Sequence, residues 1–305
     1  MIDTGANKRH SYTMTATTSP HITLVTLLDQ FIRELDKSPL TIQAYRVDIR
    51  QFITWLTEND CTATTPTQVY RTHIAEFLKF LDAEGHTGTT RARKLISLQV
   101  FFTYLVREGV IPHSPAATID RPRRERKPKH FLRPDEYNRV LAAAGAHLRD
   151  FAVLQLFLQT GIRVSELVAI QLKDLDVVNK TLTIHGKGSK EREIPLEKKA
   201  MQALKSWLAV RENSADQHVF LSYQGGGLSI RGVRKLVDKY IKQAGITKQI
   251  SCHGLRHTFG FNKGAMNMNA FAIQRLMGHE RMETTRIYVN LDTDALRPVM
   301  EATSL

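Results

Sequence analysis

From Ile22 to about Gly109, apolar residues recur every three or four positions, the spacing of one buried helical face. Leu24, Leu27, Leu28, Phe31 and Leu35 mark a first helix. Ser38-Pro39 then supplies an N-cap and a proline at the first helical position, where a missing N–H leaves no bond unmade. Tyr45, Ile49, Phe52 and Leu56 share a face of the second helix, which stops near Asn59-Asp60. The spacing predicts a third helix from about Pro66 to Ala83, before Glu84-Gly85. A fourth, after Gly88, carries Leu95, Leu98, Phe102 and Leu105 and stops at Gly109. Four helices of this length make a small all-helical domain, assigned to residues 22–118.

The pattern then lapses. Arg121-Pro122-Arg123-Arg124-Glu125-Arg126-Lys127-Pro128-Lys129 holds six cations in nine residues, and its two prolines oppose a helix. Residues 119–130 therefore read as an extended basic linker. Arg121, Arg123, Arg124, Arg126, Lys127 and Lys129 are either a solvated hinge or cations laid along a phosphate backbone, as a two-domain clamp around a duplex would need.

Helical spacing resumes after Arg133-Pro134-Asp135-Glu136, a proline-then-acid helix start, and runs through Val153-Leu154 and on past Arg163. Between Thr181 and Leu196 the period changes. Thr181-Leu182-Thr183-Ile184 alternates, Gly186-Lys187-Gly188-Ser189 is turn-like, and Ile194 and Leu196 resume the alternation, which predicts a β-hairpin with Lys187 at its tip. Helical patterns return from Lys198. The expected fold is mainly α: a small helical N-terminal domain and a larger helical domain, residues 131–291, carrying a small β-hairpin or sheet. Residues 1–21, polar and rich in Thr and Ser, read as a flexible extension without the apolar core of a signal peptide. Residues 292–305 read as a tail.

Composition sharpens this. A chain of 305 residues suffices for two separate cores. Its formal net charge of +13 points to a polyanionic partner. No apolar run approaches the length that spans a bilayer, so no membrane partner is expected. Cys61 and Cys252 lie too far apart to suggest a disulfide framework or a metal-binding spacing, which suits a reducing cytoplasm.

The candidate chemistry is concentrated near the C-terminus. His253, Arg256, His279 and Tyr288 fall within 36 residues, and Arg163 lies upstream in Thr160-Gly161-Ile162-Arg163-Val164-Ser165-Glu166-Leu167. A phenol beside phosphate-gripping cations suggests covalent attack on a phosphodiester. Free tyrosine is only about one part in a thousand phenolate at neutral pH, so Tyr288 needs a base, a nearby cation, or both. Two arginines can fork onto the non-bridging oxygens of one phosphate and stabilise the charge of a pentacoordinate phosphorane. His253 and Arg256, three apart, share a helical face. Lys187 on a hairpin tip can protonate a leaving 5′ oxygen, a role for which Lys190 and His253 compete.

In order and spacing these segments resemble the tyrosine recombinase (phage integrase) superfamily, and within it the Xer-like site-specific recombinases, from about Leu24 to Val289. Thr160–Leu167 is similar to the family's first arginine box, and His185-Gly186-Lys187-Gly188-Ser189-Lys190-Glu191-Arg192 to its lysine hairpin. His253-Gly254-Leu255-Arg256-His257-Thr258 resembles the second box, and Met277-Gly278-His279-Glu280 through Tyr288 the third. Thr41-Ile42-Gln43-Ala44-Tyr45 resembles part of the core-binding domain. The resemblance implies Arg163, Lys187, His253, Arg256 and His279 around the phosphate, Tyr288 as nucleophile, and Glu166 as a carboxylate steadying the arginines. It implies a covalent 3′-phosphotyrosine intermediate on a duplex recombination site. It further implies a synaptic tetramer, of one chain or with a paralogue, in which the tail docks on a neighbouring subunit, with accessory proteins in some systems.

Neither a metal nor a nucleotide cofactor is implied, and the sequence has no phosphate-cradling Gly-Lys-Ser/Thr loop and no acidic cluster for magnesium. Met277 replaces the usual leucine before Gly-His, and Asn290 stands where Xer proteins often place a histidine, so a transposon- or plasmid-borne resolvase fits as well as a chromosome-dimer resolvase. Two other classes share part of the signal. A type IB topoisomerase uses the same tyrosine chemistry, and a non-catalytic DNA-binding regulator needs only helices and positive charge.

Overall fold

A computed structural model describes residues 23–59, 65–123, 130–186 and 191–288. The chain forms two compact units, Met1–Lys127 and Pro128–Leu305.

The N-terminal unit holds four α-helices among its described residues. Helix α1 (Leu24–Glu34) starts at Thr23, whose hydroxyl accepts the Thr26 N–H at 3.3 Å. Helix α2 (Pro39–Asn59) starts at the expected proline, with Ser38 Oγ accepting from the Thr41 amide. The stretch predicted as one helix from Pro66 to Ala83 is broken. It is a 3₁₀ turn, Pro66–Gln68, then α3 (Arg71–Ala83). Val69 between them is extended and buried, and Tyr70 begins α3 with its amide donating to His73 Nδ1 at 3.2 Å. The Gln68 side chain accepts from the Thr65 amide at 3.1 Å and closes the short turn on itself, which is why the apolar period carries across a real break. Helix α4 (Gly88–Arg107) follows.

Phe52 and Phe77 meet edge to face at 5.3 Å in the core, as do Phe31 and Phe101 at 5.4 Å. One charge is buried there. Asp48 on α2, fully covered, accepts from Lys94 Nζ at 3.0 Å, from Ser97 Oγ at 2.8 Å and from Arg93, all on α4. Three donors make that burial tolerable and pin α2 to α4.

The C-terminal unit begins with α5 (Pro134–Ala144), where the Arg133 amide donates to Glu136 Oε2 at 2.7 Å, as its proline-acid start predicts. Helix α6 (Leu148–Thr160) is buried on nearly every side and forms the centre of the unit. The expected helix past Arg163 is interrupted. Gly161 adopts φ +62°, and the chain restarts as α7 (Val164–Ala169) with Arg163 at its N-cap. Strands β1 (Leu175–Asp176), β2 (Thr181–His185) and β3 (Glu191–Pro195) form an antiparallel sheet in that order. The hairpin register pairs Leu182 with Ile194, and these residues with Ile184 face the core. Strand β1 is too short to leave an alternation in the sequence. Helices α8 (Lys198–Val210), α9 (Ile230–Gln243), α10 (Cys252–Ala265), α11 (Ala270–Met277) and α12 (Met282–Arg286) complete the unit. No described helix is long and apolar enough to cross a membrane.

Candidate active site

Two helix ends create the arginine pair. Helix α6 terminates at Gly161 and α11 at Gly278, both left-handed, with φ +62° and +64°. A Cβ at Gly161 would collide with the Phe259 ring, and one at Gly278 would lie 2.9 Å from the Arg192 guanidinium. Only glycine fits either place. Carbonyls at a helix C-terminus lack internal donors and carry partial negative charge, so they receive guanidinium groups well. Arg256 on α10, buried, donates to the Gly161 carbonyl and to the Met277 carbonyl, both at 2.7 Å. Arg163 Nη2 donates to the Gly278 carbonyl at 2.8 Å. Burial, reinforced by neighbouring Arg163, pushes Arg256 down to about 10, which leaves it cationic at neutral pH.

Glu166 orders the other side. Its carboxylate accepts the Arg163 amide at 2.7 Å and Arg163 Nη1 at 2.8 Å. Arg192 on β3 meets the same carboxylate with both ends of its fork, at 2.9 and 2.8 Å. Burial alone would raise the Glu166 value, but the bonds from Arg192 and Arg163 outweigh it and hold the carboxyl below its ordinary range. Arg163, Glu166, Arg192, Gly278 and His279 line a cavity of about 840 Å³. Two guanidinium groups and an imidazole on one concave wall can bind a phosphodiester.

Tyr288 lies across α10. Its ring covers Gly260, where a Cβ would sit 2.7 Å from the ring, and its carbonyl covers Gly264 one turn on. Phe261 meets the ring edge-on at 5.2 Å, and His279 stacks on it at 6.1 Å. His279 is oriented by Thr285, with Nδ1 2.8 Å from Oγ1. Tyr288 Oη is 2.6 Å from Nδ1 of His257. Burial raises the phenol to about 12, opposed by the charge of Arg256.

Of the residues singled out from sequence, Arg163 and Glu166 are bonded to each other and line the cavity, whereas Arg256 lies buried behind it and meets them only through the adjacent Met277 and Gly278 carbonyls. The Gly278 carbonyl immediately precedes His279, which stacks on Tyr288. His253 is exposed at the start of α10, with its ring 4.3 Å from that of His257. Arg121 and Arg123 are exposed coil residues. Lys187, and with it Arg124, Arg126, Lys127 and Lys129, lies outside the described residues. The 1–21 extension and the 292–305 tail lie outside them as well. Among the described residues no group of three or more His, Cys, Asp or Glu side chains is placed to hold a metal.

Residue type and spacing assign no role to Arg192 and His257, although both stand inside the motif segments. The available signals were spacing. His257 follows His253 by one helical turn, and Gly260 and Gly264, four apart, mark a face that something approaches closely.

Residues 130–294 match the sequence profile of the phage integrase family, and residues 26–109 that of the phage integrase N-terminal SAM-like domain. The chain belongs to the phage integrase family. Among its relatives in the family, tyrosine recombinase XerC of Thermodesulfovibrio yellowstonii is 34% identical over 273 residues, covering 86% of this chain and 89% of the relative. Tyrosine recombinase XerD of Listeria innocua is 32% identical over 287 residues, covering 90% and 96%. The phage integrase fold is shared with the Tn1549 transposon integrase in complex with transposon right end DNA, with TM-score 0.77, 20% identity and coverage of 92% and 99%. It is shared too with XerH site-specific recombinase bound to difH substrate, with TM-score 0.72, 23% identity and coverage of 90% and 83%.

Proposed function

We propose that this protein is a site-specific recombinase that cuts and rejoins DNA through a covalent 3′-phosphotyrosine on Tyr288. The observation that carries this reading is the tie between the cationic wall and the nucleophile. Arg256 holds Met277 and Arg163 holds Gly278, the two residues immediately before His279, and His279 stacks on Tyr288. Phosphate grip and nucleophile are thus set by one short segment.

In this reading Arg163 and Arg256 neutralise the non-bridging oxygens as charge grows on phosphorus. His253 and His279 complete the phosphate's surroundings, and Lys187 protonates the leaving 5′ oxygen. The phosphotyrosyl bond conserves the energy of the broken phosphodiester, so rejoining needs no nucleotide. Residues 22–118 serve as the core-binding domain, 119–130 as the basic linker along the backbone, 131–291 as the catalytic domain, and 292–305 as the segment exchanged between subunits. The partner is a duplex recombination site, engaged in a synaptic tetramer of this chain or with a paralogue, in the cytoplasm.

A plasmid carrying two copies of the DNA flanking the gene tests the function. The wild-type protein is expected to recombine the copies, and Tyr288→Phe to bind them without recombination. Relaxation of supercoiled plasmid lacking any such site, with no recombination, would indicate a topoisomerase instead.

A further inference from the structure

Resting on that recombinase reading, we propose that His257 is the base that takes the proton from Tyr288 during cleavage and returns it during rejoining. The two groups are already in hydrogen-bond contact, Nδ1 to Oη at 2.6 Å. Both residues are buried, His257 6% and Tyr288 4% exposed, so bulk water has little access to the phenol. Tyr288, pushed up to about 12, is almost wholly protonated near neutral pH and cannot attack without an acceptor. Imidazole is the side chain whose ordinary titration lies nearest neutrality.

The surroundings single out His257 for this role. Gly260 gives the Tyr288 ring its seat, and Phe261 and His279 hold two further sides. His279 stacks against the ring, with its Nδ1 engaged by Thr285 Oγ1. His253 meets His257 edge to face at 4.3 Å, one turn earlier on α10. Arg256, the next residue to His257, senses Tyr288 electrostatically and favours the phenolate as the proton leaves.

The proton balance closes. In cleavage the Tyr288 O–H bond breaks and its proton passes to Nδ1 of a neutral His257 protonated on Nε2. Oη then bonds to phosphorus, and the phosphorus–O5′ bond breaks with its electrons leaving on O5′, which takes a proton from the general acid. In rejoining, the 5′ hydroxyl returns that proton and attacks phosphorus. The phosphotyrosyl bond breaks, and His257 reprotonates the phenolate.

The test is single-turnover adduct formation by the full-length protein on a nicked duplex containing the site it protects from nuclease. Wild type, His257→Gln and His257→Ala are compared, each with tyrosine and with 3,5-difluorotyrosine at position 288. The fluorinated phenol ionises far more readily and depends less on a base. Both His257 variants are expected to bind the site normally and to form adduct about 10²–10⁴-fold more slowly. The fluorinated nucleophile is expected to shrink that loss at least about tenfold, as base catalysis requires and a packing defect does not. A loss well below 10²-fold, a gain in rate, or a loss undiminished by fluorination would overturn the proposal. Should His257→Ala melt early, the near-isosteric Gln variant decides. If wild type itself forms no adduct, the recombinase reading falls first and this proposal with it.

Discussion

Arg192 grips Glu166 with both ends of its guanidinium, Nη1 to Oε1 at 2.9 Å and Nη2 to Oε2 at 2.8 Å, while its Nε donates to the Leu276 carbonyl at 3.0 Å. Glu166 also holds Arg163, so a single carboxylate joins β3, α7 and the end of α11. Arg163, on the cavity wall, therefore depends on a strand far from it in sequence.

Removing that carboxylate should be costly. Glu166→Ala leaves the mostly buried Arg192 guanidinium without its carboxylate, beside a half-exposed Arg163, and a loss of about 1–3 kcal/mol is expected from denaturant unfolding. Arg192→Lys keeps the charge but cannot reproduce the fork, so an intermediate loss is expected, together with slower covalent adduct formation.

The same carboxylate gives an acid signature. Its folded-state value is held below the ordinary 4.5 despite burial, by Arg192 and Arg163. A depressed carboxylate stabilises the fold fully above its unfolded value and loses that contribution as pH falls through its folded value. Thermal melting of wild type and Glu166→Gln should thus differ most near neutral pH and converge below pH 4.5. A gap that stays constant on acidification would show that Glu166 acts only through shape.

Gly260→Ala tests how tightly Tyr288 is seated. The new methyl group would stand 2.7 Å from the ring, which has no room to retreat past Phe261 and His279. Overpacking of this kind costs about 1–3 kcal/mol, so adduct formation should slow by roughly 5- to 150-fold while site binding, measured by gel shift, stays unchanged.

The exposed Arg121 and Arg123 begin the basic run, and their role is expected to show in salt dependence. If the protein neutralises on the order of ten phosphates, affinity should fall by about 10³–10⁵ between about 50 and 200 mM salt. Changing Arg121, Arg123, Arg124 and Arg126 to Gln should flatten the log–log slope by a few units on every sequence alike, because phosphate contacts carry no base information. An unchanged slope would make the run a solvated hinge.

Much of the fold was legible because burial imposes a period. Leu24 to Phe31 and Ile49 to Leu56 announce their helices, and Leu182 and Ile184 announce a strand. Periodicity failed where a break preserves the apolar phase, at Val69-Tyr70 and at Gly161–Arg163. The second failure touched the site, since that break is what sets Arg163 at a helix start beside Glu166. Arg256, His279 and Tyr288 could be picked out by residue type and spacing. Arg192 and His257 could not be assigned from type alone, because their partners, Glu166 and Tyr288, are 26 and 31 residues away and meet them only through the tertiary fold.

The most direct measurement is mass spectrometry of the trapped covalent complex after nuclease and trypsin digestion. Nucleotide mass attached through a 3′-phosphate is expected on the peptide that begins at Ile287, localised to Tyr288, and absent from Tyr288→Phe. Attachment to any other residue, or an adduct that persists in the Phe variant, would contradict the assignment of Tyr288 as the nucleophile.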